Sequence, residues 1–434
     1  MGTNARAHAA GLADALVAVV DAYSLRVYPA VLEQHAAQSV CSPLGVWLLL
    51  AACATGADAE ERAPLEQVLG CSSETAGELL EMFLATPPPA LYAAVATWVR
   101  EIDLTAEFSA WVKELPDQVE AGLMPTQGQA DDWAKRNTLE LIDRFPIALD
   151  GLTRIVLASA LATKVSWRDP FGVTAADQHL HGNSPWRGAL GRMLWDQAPT
   201  ACVGIFETRA AGIVAVHLAV AVEDLSVVSV SADPHVKREA VLAAAHEVIA
   251  HLRNGSLAPT RCSLFDLPLG SGHSWEIGER QIATRRAGEQ RERIGGVALP
   301  TWHARGDLDL KRDESFGTLS ALNVLRSLIG PQPGDRTQAQ QAAVASFTRY
   351  GFEAAAVTAI AVRAAAMLPP RERGVERVAT LQFDHPYGAV AITGNAENAG
   401  LANSAAGFAG LPVFAAWIAT PDEPEDRGDG TWSS

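Results

Sequence analysis

The 434-residue chain carries a formal net charge of −16, with 48% hydrophobic and 19% charged residues. That apolar content supports a large core and excludes disorder as the organising state. The acidic balance excludes a nucleic-acid partner, which requires a basic face.

In chain order, residues 12–32 are apolar at helical spacing. Ser42-Pro43 starts a second helix, with serine as cap and proline in the first turn. It runs through Trp47 and Leu50 to about Gly56. Asp58 caps a third helix, which ends at Gly70. Residues 95–99 read as a strand, and 131–145 as an amphipathic helix with Trp133, Leu141 and Ile142 near one face. Residues 155–167 form a mostly buried strand. Residues 214–218 and 225–230 form a hairpin around a Glu-Asp turn. A helix spans 235–252 and stops at Asn254-Gly255. The arginine-rich stretch 270–296 reads as loop. After Leu381, strands alternate with a Gly/Ala/Asn-rich turn over 394–410, and the acidic tail from Pro421 reads as disordered.

Five cysteines, Cys41, Cys53, Cys71, Cys202 and Cys262, form no CxxC pair. Their odd number and wide spacing point to thiols that are for the most part reduced and buried, and not to a disulfide framework or a zinc site. No signal peptide is legible, because Asp14 interrupts the first apolar run and Asp21 ends it. A cytoplasmic location is expected on that ground, with non-classical export left open. The uncharged stretches 40–57 and 398–421 contain Pro43 and Pro412, so no membrane partner is expected.

Enzyme motifs fail on geometry. His246-Glu247 and His251 make the best metal candidate, but a zincin needs its histidines four apart. Five apart, at about 100° per residue, they point roughly 140° from each other. His179 and His181 read as solvated loop residues. There is no GxSxG elbow, P-loop or GxGxxG. No enzyme activity, metal or cofactor is expected.

Several blocks, in order, resemble the serpin family of serine protease inhibitors. Ser42-Pro-Leu-Gly with the apolar helix after it, and the Glu-Glu stretch to Gly70, look like the family's second and third helices. Asp132-Trp133 through Thr138 to Ile142 is similar to its helix in front of the main sheet. The stretch from Leu157 to Lys164, Trp167, Pro170 and Phe171 resembles its strand signature. Leu299-Pro300 through Leu310 resembles a later strand of that sheet. Asp384-His385-Pro386-Tyr387 is similar to its near-C-terminal motif, with Tyr for the usual Phe. Leu411-Pro412 to Pro421 resembles its last strand. These blocks identify the chain as a divergent, bacterial-type member.

The resemblance implies an α+β fold. One domain over 1–421 would hold eight or nine helices, three mainly antiparallel β-sheets and an exposed reactive-centre loop near the C-terminus, with an acidic disordered tail over 422–434. It implies a monomeric inhibitor that acts as a suicide substrate. The family's polar gate under the main sheet maps to Ser42, Ser159 and Gln341, the last two standing where Asn and His are usual, with Gly45 for a usual serine. The hinge maps to Gly351, Phe352, Glu353, Ala354, Ala355, Ala356, Val357 and Thr358.

By propensity alone this alanine-rich stretch is a surface helix. As a strand, it places Phe352, Ala354, Ala356, Thr358, Ile360 and Val362 on one face and both charges, Glu353 and Arg363, on the other. Counting from Gly351 puts the scissile bond at Ala365-Ala366, favouring elastase-like or subtilisin-like targets. Arg371 or Arg373 would serve trypsin-like ones. Phe352 stands where a small Thr or Ser is usual, and its ring needs a pocket under the sheet. That demand would slow insertion and leave a non-inhibitory binding protein as the alternative. The arginines from 280 to 293 leave a local basic patch open.

Overall fold

A computed structural model describes all residues except 1, 36, 102–104, 151–152, 198, 285, 331–335, 353–371, 398–399, 402–406 and 425–434. Helix α1 (Gly2–Gln34) is long and apolar enough to cross a membrane, but its Leu16, Val20, Tyr23 and Val27 are buried in the core. Strand β1 (Ser39–Cys41) leads into the wholly buried α2 (Pro43–Ala54). Ser42 caps α2 by accepting from the Gly45 amide at 3.2 Å, and Pro43 sits where a missing N–H costs nothing. Helix α3 (Ala59–Leu69) starts on the Asp58 carboxylate, which accepts from the Glu60 and Glu61 amides. It ends at Gly70, whose φ of 74° favours glycine. Then come α4 (Ser73–Ala85), β2 (Leu91–Val99), α5 (Ala106–Val112) and β3 (Val119–Leu123).

Helix α6 (Gln127–Asn137) differs from the helix expected over 131–145. A capping box between Thr126 and Gln129 starts it earlier. Leu139 and Glu140, at φ 53° and 64°, end it, so Ile142 and Phe145 are buried without being helical. The rings nevertheless meet: Trp133 lies edge-on to Trp98 at 5.4 Å, and Phe145 packs on both.

The chain continues through β4 (Thr153–Thr163), β5 (Val165–Ser166), β6 (Gly172–Ala175), β7 (Arg192–Asp196) and β8 (Gly204–Thr208). The expected hairpin is β9 (Gly212–Val220) and β10 (Leu225–Ser231), followed by α7 (Arg238–Arg253). Next are β11 (Gly270–Ser271), β12 (Trp275–Thr284), β13 (Gln290–Leu299), β14 (Trp302–Asp309) and α8 (Thr318–Ile329). The last strands are β15 (Arg336–Gln338), β16 (Gln340–Phe347), β17 (Gly351–Phe352), β18 (Glu372–Gln382), β19 (Tyr387–Thr393), β20 (Ala396–Glu397), β21 (Gly400–Leu401) and β22 (Pro412–Ile418).

The stretch 270–296 is sheet, not the expected loop. β12 and β13 flank β18 in a six-stranded sheet ordered β11-β12-β18-β13-β7-β6. Charge alternates there because it is paired across strands: Arg377 binds Glu279 at 2.9 Å, and Arg280 and Arg293 share Glu376. Arg291 pairs with Glu289, so Arg280, Arg291 and Arg293 each carry an acidic partner.

A second six-stranded sheet, β1-β22-β19-β10-β9-β8, lies at the back and is buried along nearly every strand. The main sheet is divided. One part is β15-β4-β2-β3 and the other is β14-β16. β15 joins β4 in parallel only at Arg336↔Thr153 and Gln338↔Val156, and no ladder joins β4 to β16 among the described residues. Helix α6 covers the front of this seam, in a cluster containing Ala96, Ala158, Ala160, Ala342 and Val344. The eight α-helices and mixed sheets among the described residues make the fold α+β. Asp422 and Glu423, assigned by sequence to the tail, are tied down: Asp422 accepts from the His303 amide at 2.8 Å, and Glu423 from the Gly191 amide.

Candidate functional site: the seam of the main sheet and its hinge

The three residues assigned to the gate come together. Gln341 is buried on β16, and its amide exchanges two hydrogen bonds with the backbone of Ser42. The Ser42 N–H donates to Gln341 Oε1 at 2.9 Å, and Gln341 Nε2 donates to the Ser42 carbonyl at 2.8 Å. Ser42 Oγ donates onward to the Val413 carbonyl of β22 at 2.8 Å. One side chain therefore ties β16 to the start of α2 and, through it, to the back sheet. Ser159, opposite Val95 on β4, completes the cluster from the other side of the seam. A Cβ on Gly45 would lie 3.1 Å from Ser159 Oγ, 3.4 Å from Ser42 Oγ and 3.5 Å from Gln341 Nε2. A side chain at Gly45 would crowd Ser159 and merely touch the other two groups.

At the head of the seam the chemistry is aromatic. β16 ends at Phe347, and residues 348–351 reverse the chain. Thr348 closes the turn with both its N–H (3.0 Å) and its hydroxyl (2.9 Å) donating to the Gly351 carbonyl. β17 then pairs antiparallel with β5, Gly351 opposite Ser166 and Phe352 opposite Val165. The Phe352 side chain is 3% exposed, with its ring 6.0 Å from Trp302 and 6.5 Å from both Trp167 and Phe414. The pocket expected to be needed under the sheet is present and occupied. Trp302, Phe347 and Phe414 were not assigned to this site from sequence, since an isolated aromatic in a strand carries no sign of its partners.

The signature residues take separate roles. Trp167 packs on Phe347 at 4.9 Å, and its indole N–H donates to the Thr348 carbonyl at 2.9 Å. Phe171 exchanges hydrogen bonds with Arg349, each at 3.0 Å. Lys164 is exposed and Pro170 half-buried at the end of this segment. His385 and Pro386 lie elsewhere, at the link from β18 to β19. His385 Nδ1 contacts Asp384 at 2.9 Å, and its Nε2 contacts the Ala232 carbonyl at 2.8 Å and Ser231 Oγ at 3.2 Å. This has the order of a Ser-His-Asp triad, but Nε2 must donate to the Ala232 carbonyl and so cannot act as a base. Ser231 is fully buried as well.

His181 is not merely solvated: its ring and its amide both contact Asp384, at 2.7 and 2.9 Å. The hydrogen bond to Asp384 raises the His181 pKa above the usual 6.5. Burial pushes the Asp384 carboxyl up, but hydrogen bonds from His181 and His385 outweigh it and bring it down to about 2. His179 stacks on Trp195 at 5.0 Å and contacts Thr174 Oγ1 at 3.1 Å. Both ring nitrogens of His246 are engaged, by Asp21 (2.6 Å) and Tyr28 (2.7 Å), and Glu247 accepts from the Arg209 and Ala210 amides. Burial raises the Cys41 and Cys53 thiols to about 12, keeping both protonated.

Glu353, Ala354, Ala355, Ala356, Val357, Thr358, Ala365, Ala366 and Arg371 lie outside the described residues. Arg373 lies within β18, paired with Ala283, and its carbonyl accepts from the Gly288 amide at 3.0 Å. A scissile residue must be free to enter a protease cleft, and Arg373 is committed to a ladder.

A family model described as serpin (serine protease inhibitor) matches residues 18–182. Among curated proteins no sequence relative matches. Solved structures share the fold. The thermophilic serpin Tengpin in its native state is similar at TM-score 0.63 and 16% identity, over 94% of both chains. Human thyroxine-binding globulin complexed with its hormone is similar at TM-score 0.62 and 12% identity, over 95% of this chain and 100% of that one. Serpin48 of the insect Tenebrio molitor is similar at TM-score 0.57 and 17% identity, over 94% of this chain and 98% of that one.

Proposed function

We propose, on the premise that this chain belongs to the serpin family, that it inhibits serine proteases as a suicide substrate, with Ala365-Ala366 as the reactive bond. One observation carries the reading: the hinge begins, at Gly351 and Phe352, paired at the head of a seam that no ladder closes among the described residues. The target's serine oxygen attacks the Ala365 carbonyl carbon and forms an ester. The bond to the Ala366 nitrogen breaks, and that nitrogen leaves protonated as a new amino terminus. The freed strand from Phe352 to Arg363 then enters between β4 and β16. Twelve residues extend roughly 40 Å, enough to carry the acylated protease along the sheet. Ile360 and Val362, on the same face as the buried Phe352, add roughly 1.5–3 kcal/mol each on burial. Insertion must outrun hydrolysis of the ester.

Small residues around Ala365 suit elastase-like and subtilisin-like targets. The ladder at Arg373 favours Arg371 as the trypsin-type alternative. The test is incubation with elastase-, subtilisin- and trypsin-like proteases. The expected product is an SDS-resistant covalent adduct with the first two; cleavage without adduct throughout the panel overturns the reading. A second reading, a non-inhibitory binding protein, is supported by Phe352 at the hinge and by the likeness to thyroxine-binding globulin. Under it, nicking the loop leaves the unfolding temperature unchanged.

A further inference from the structure

Phe352 occupies a position where a ring looks like an obstacle to insertion. The geometry points to the opposite role: Phe352 anchors an insertion that has already begun, so that the freed loop extends a strand instead of nucleating one. This inference rests on the loop-insertion reading above.

Direction is the first argument. The parallel pairing of β15 with β4 means that β4 and β16 run the same way. A strand entering between them from the end of β16 must turn back and run antiparallel to both. β17 does so: it follows the turn after Phe347 and is antiparallel to β5, which prolongs β4 beyond Lys164. Gly351 and Phe352 thus have the sense and the place of the first two inserted residues.

The second argument is the fixing of the turn. Besides the bonds from Thr348 to Gly351, the Trp167 amide donates to the Tyr350 carbonyl at 2.9 Å and the Phe171 amide to the Arg349 carbonyl at 3.0 Å. These bonds, with the Trp167 indole on Thr348, hold the reversal in one conformation. The entropy of forming a first turn is the costly part of starting a strand. Here that cost is met during folding.

The third argument is the shape of the pocket. Phe352 lines one small cavity together with Ala389, Ala391, Ala415 and Ala416 of the back sheet and Ala345 of β16. Alanines among the aromatics leave room for a ring. A small residue at 352 would leave a void there, and voids in packed interiors cost stability.

The test follows insertion, not inhibition, in the full-length protein. The loop is nicked by limited proteolysis, and the rise in unfolding temperature is sampled over time. Trp167 and Trp302, which flank the ring, give a fluorescence signal of docking before the nick. Phe352→Ala is expected to change that emission and to slow the rise on the order of tenfold, because an undocked hinge must first find its place before the loop can follow. Phe352→Leu, which keeps apolar bulk, is expected to restore most of the rate. If the alanine chain does not fold, Phe352→Thr against Phe352→Leu makes the same comparison. A parent-like or faster rise in Phe352→Ala or Phe352→Thr overturns the anchor, as does a nicked parent that gains no stability. Rapid stabilisation of the nicked parent without any covalent adduct, with the variants slowed, sinks the inhibitory reading and supports the anchor.

Discussion

The gate and the head of the seam hold β16 by different physics. At the gate, one glutamine satisfies a buried N–H and a buried carbonyl of Ser42 and fastens β16 to α2. At the head, Phe347, Phe352, Trp167 and Trp302 fill space, and direction matters less than volume. A hydrogen-bonded latch opens all at once when its partner moves. A packed cluster yields in proportion to the volume removed. A seam with a packed head and a polar waist is therefore held at its two levels by interactions that respond differently to substitution.

The sharpest way to break that contrast is at the head. Trp302→Ala is expected to lower stability by about 3–5 kcal/mol, read from the urea midpoint, because a fully buried indole leaves a large cavity. A loss under about 1 kcal/mol would mean that the head is not a packed cluster. At the waist, Gln341→Ala is expected to cost about 1–3 kcal/mol by leaving the Ser42 N–H and carbonyl unpaired. It should also speed spontaneous conversion of the intact chain to an inserted form, visible as a growing heat-resistant fraction. An unchanged conversion rate would show that Gln341 is no latch.

The link between β18 and β19 offers a smaller, pH-dependent control outside both regions. The raised pKa of His181 makes its contribution present below 6.5 and lost as pH rises through the raised value. The lowered pKa of Asp384 makes its contribution present above 3.8 and lost as pH falls towards about 2. Asp384→Asn is expected to flatten both limbs of the stability–pH curve; a curve shaped like the parent's would refute the pair's role. The smallest effect is expected at Gly45→Ala. A helix-propensity gain of about 1 kcal/mol opposes the tight contact with Ser159, leaving a net change under about 1 kcal/mol.

Much of this was legible in the sequence where the signal is local. Caps at Ser42 and Asp58, the left-handed glycine after α3 and the β9–β10 hairpin are read from a few adjacent residues. The gate trio was legible only through family resemblance, since Ser42 and Gln341 are 299 positions apart. The sheet over 270–296 was missed because its alternating charges look solvated until their partners on β18 are known. The helix over 131–145 was overextended because apolar spacing continues past Asn137, while the backbone leaves helical geometry at Leu139.

The sequence by itself determined the helix boundaries set by caps, the apolar strands of the back sheet, and the alternation that puts Phe352 on the inward face. Only the tertiary structure decided what that face meets. A ring becomes an obstacle or an anchor according to the volume beneath it, and that volume is set by alanines on β16, β19 and β22, strands whose meeting no local pattern records.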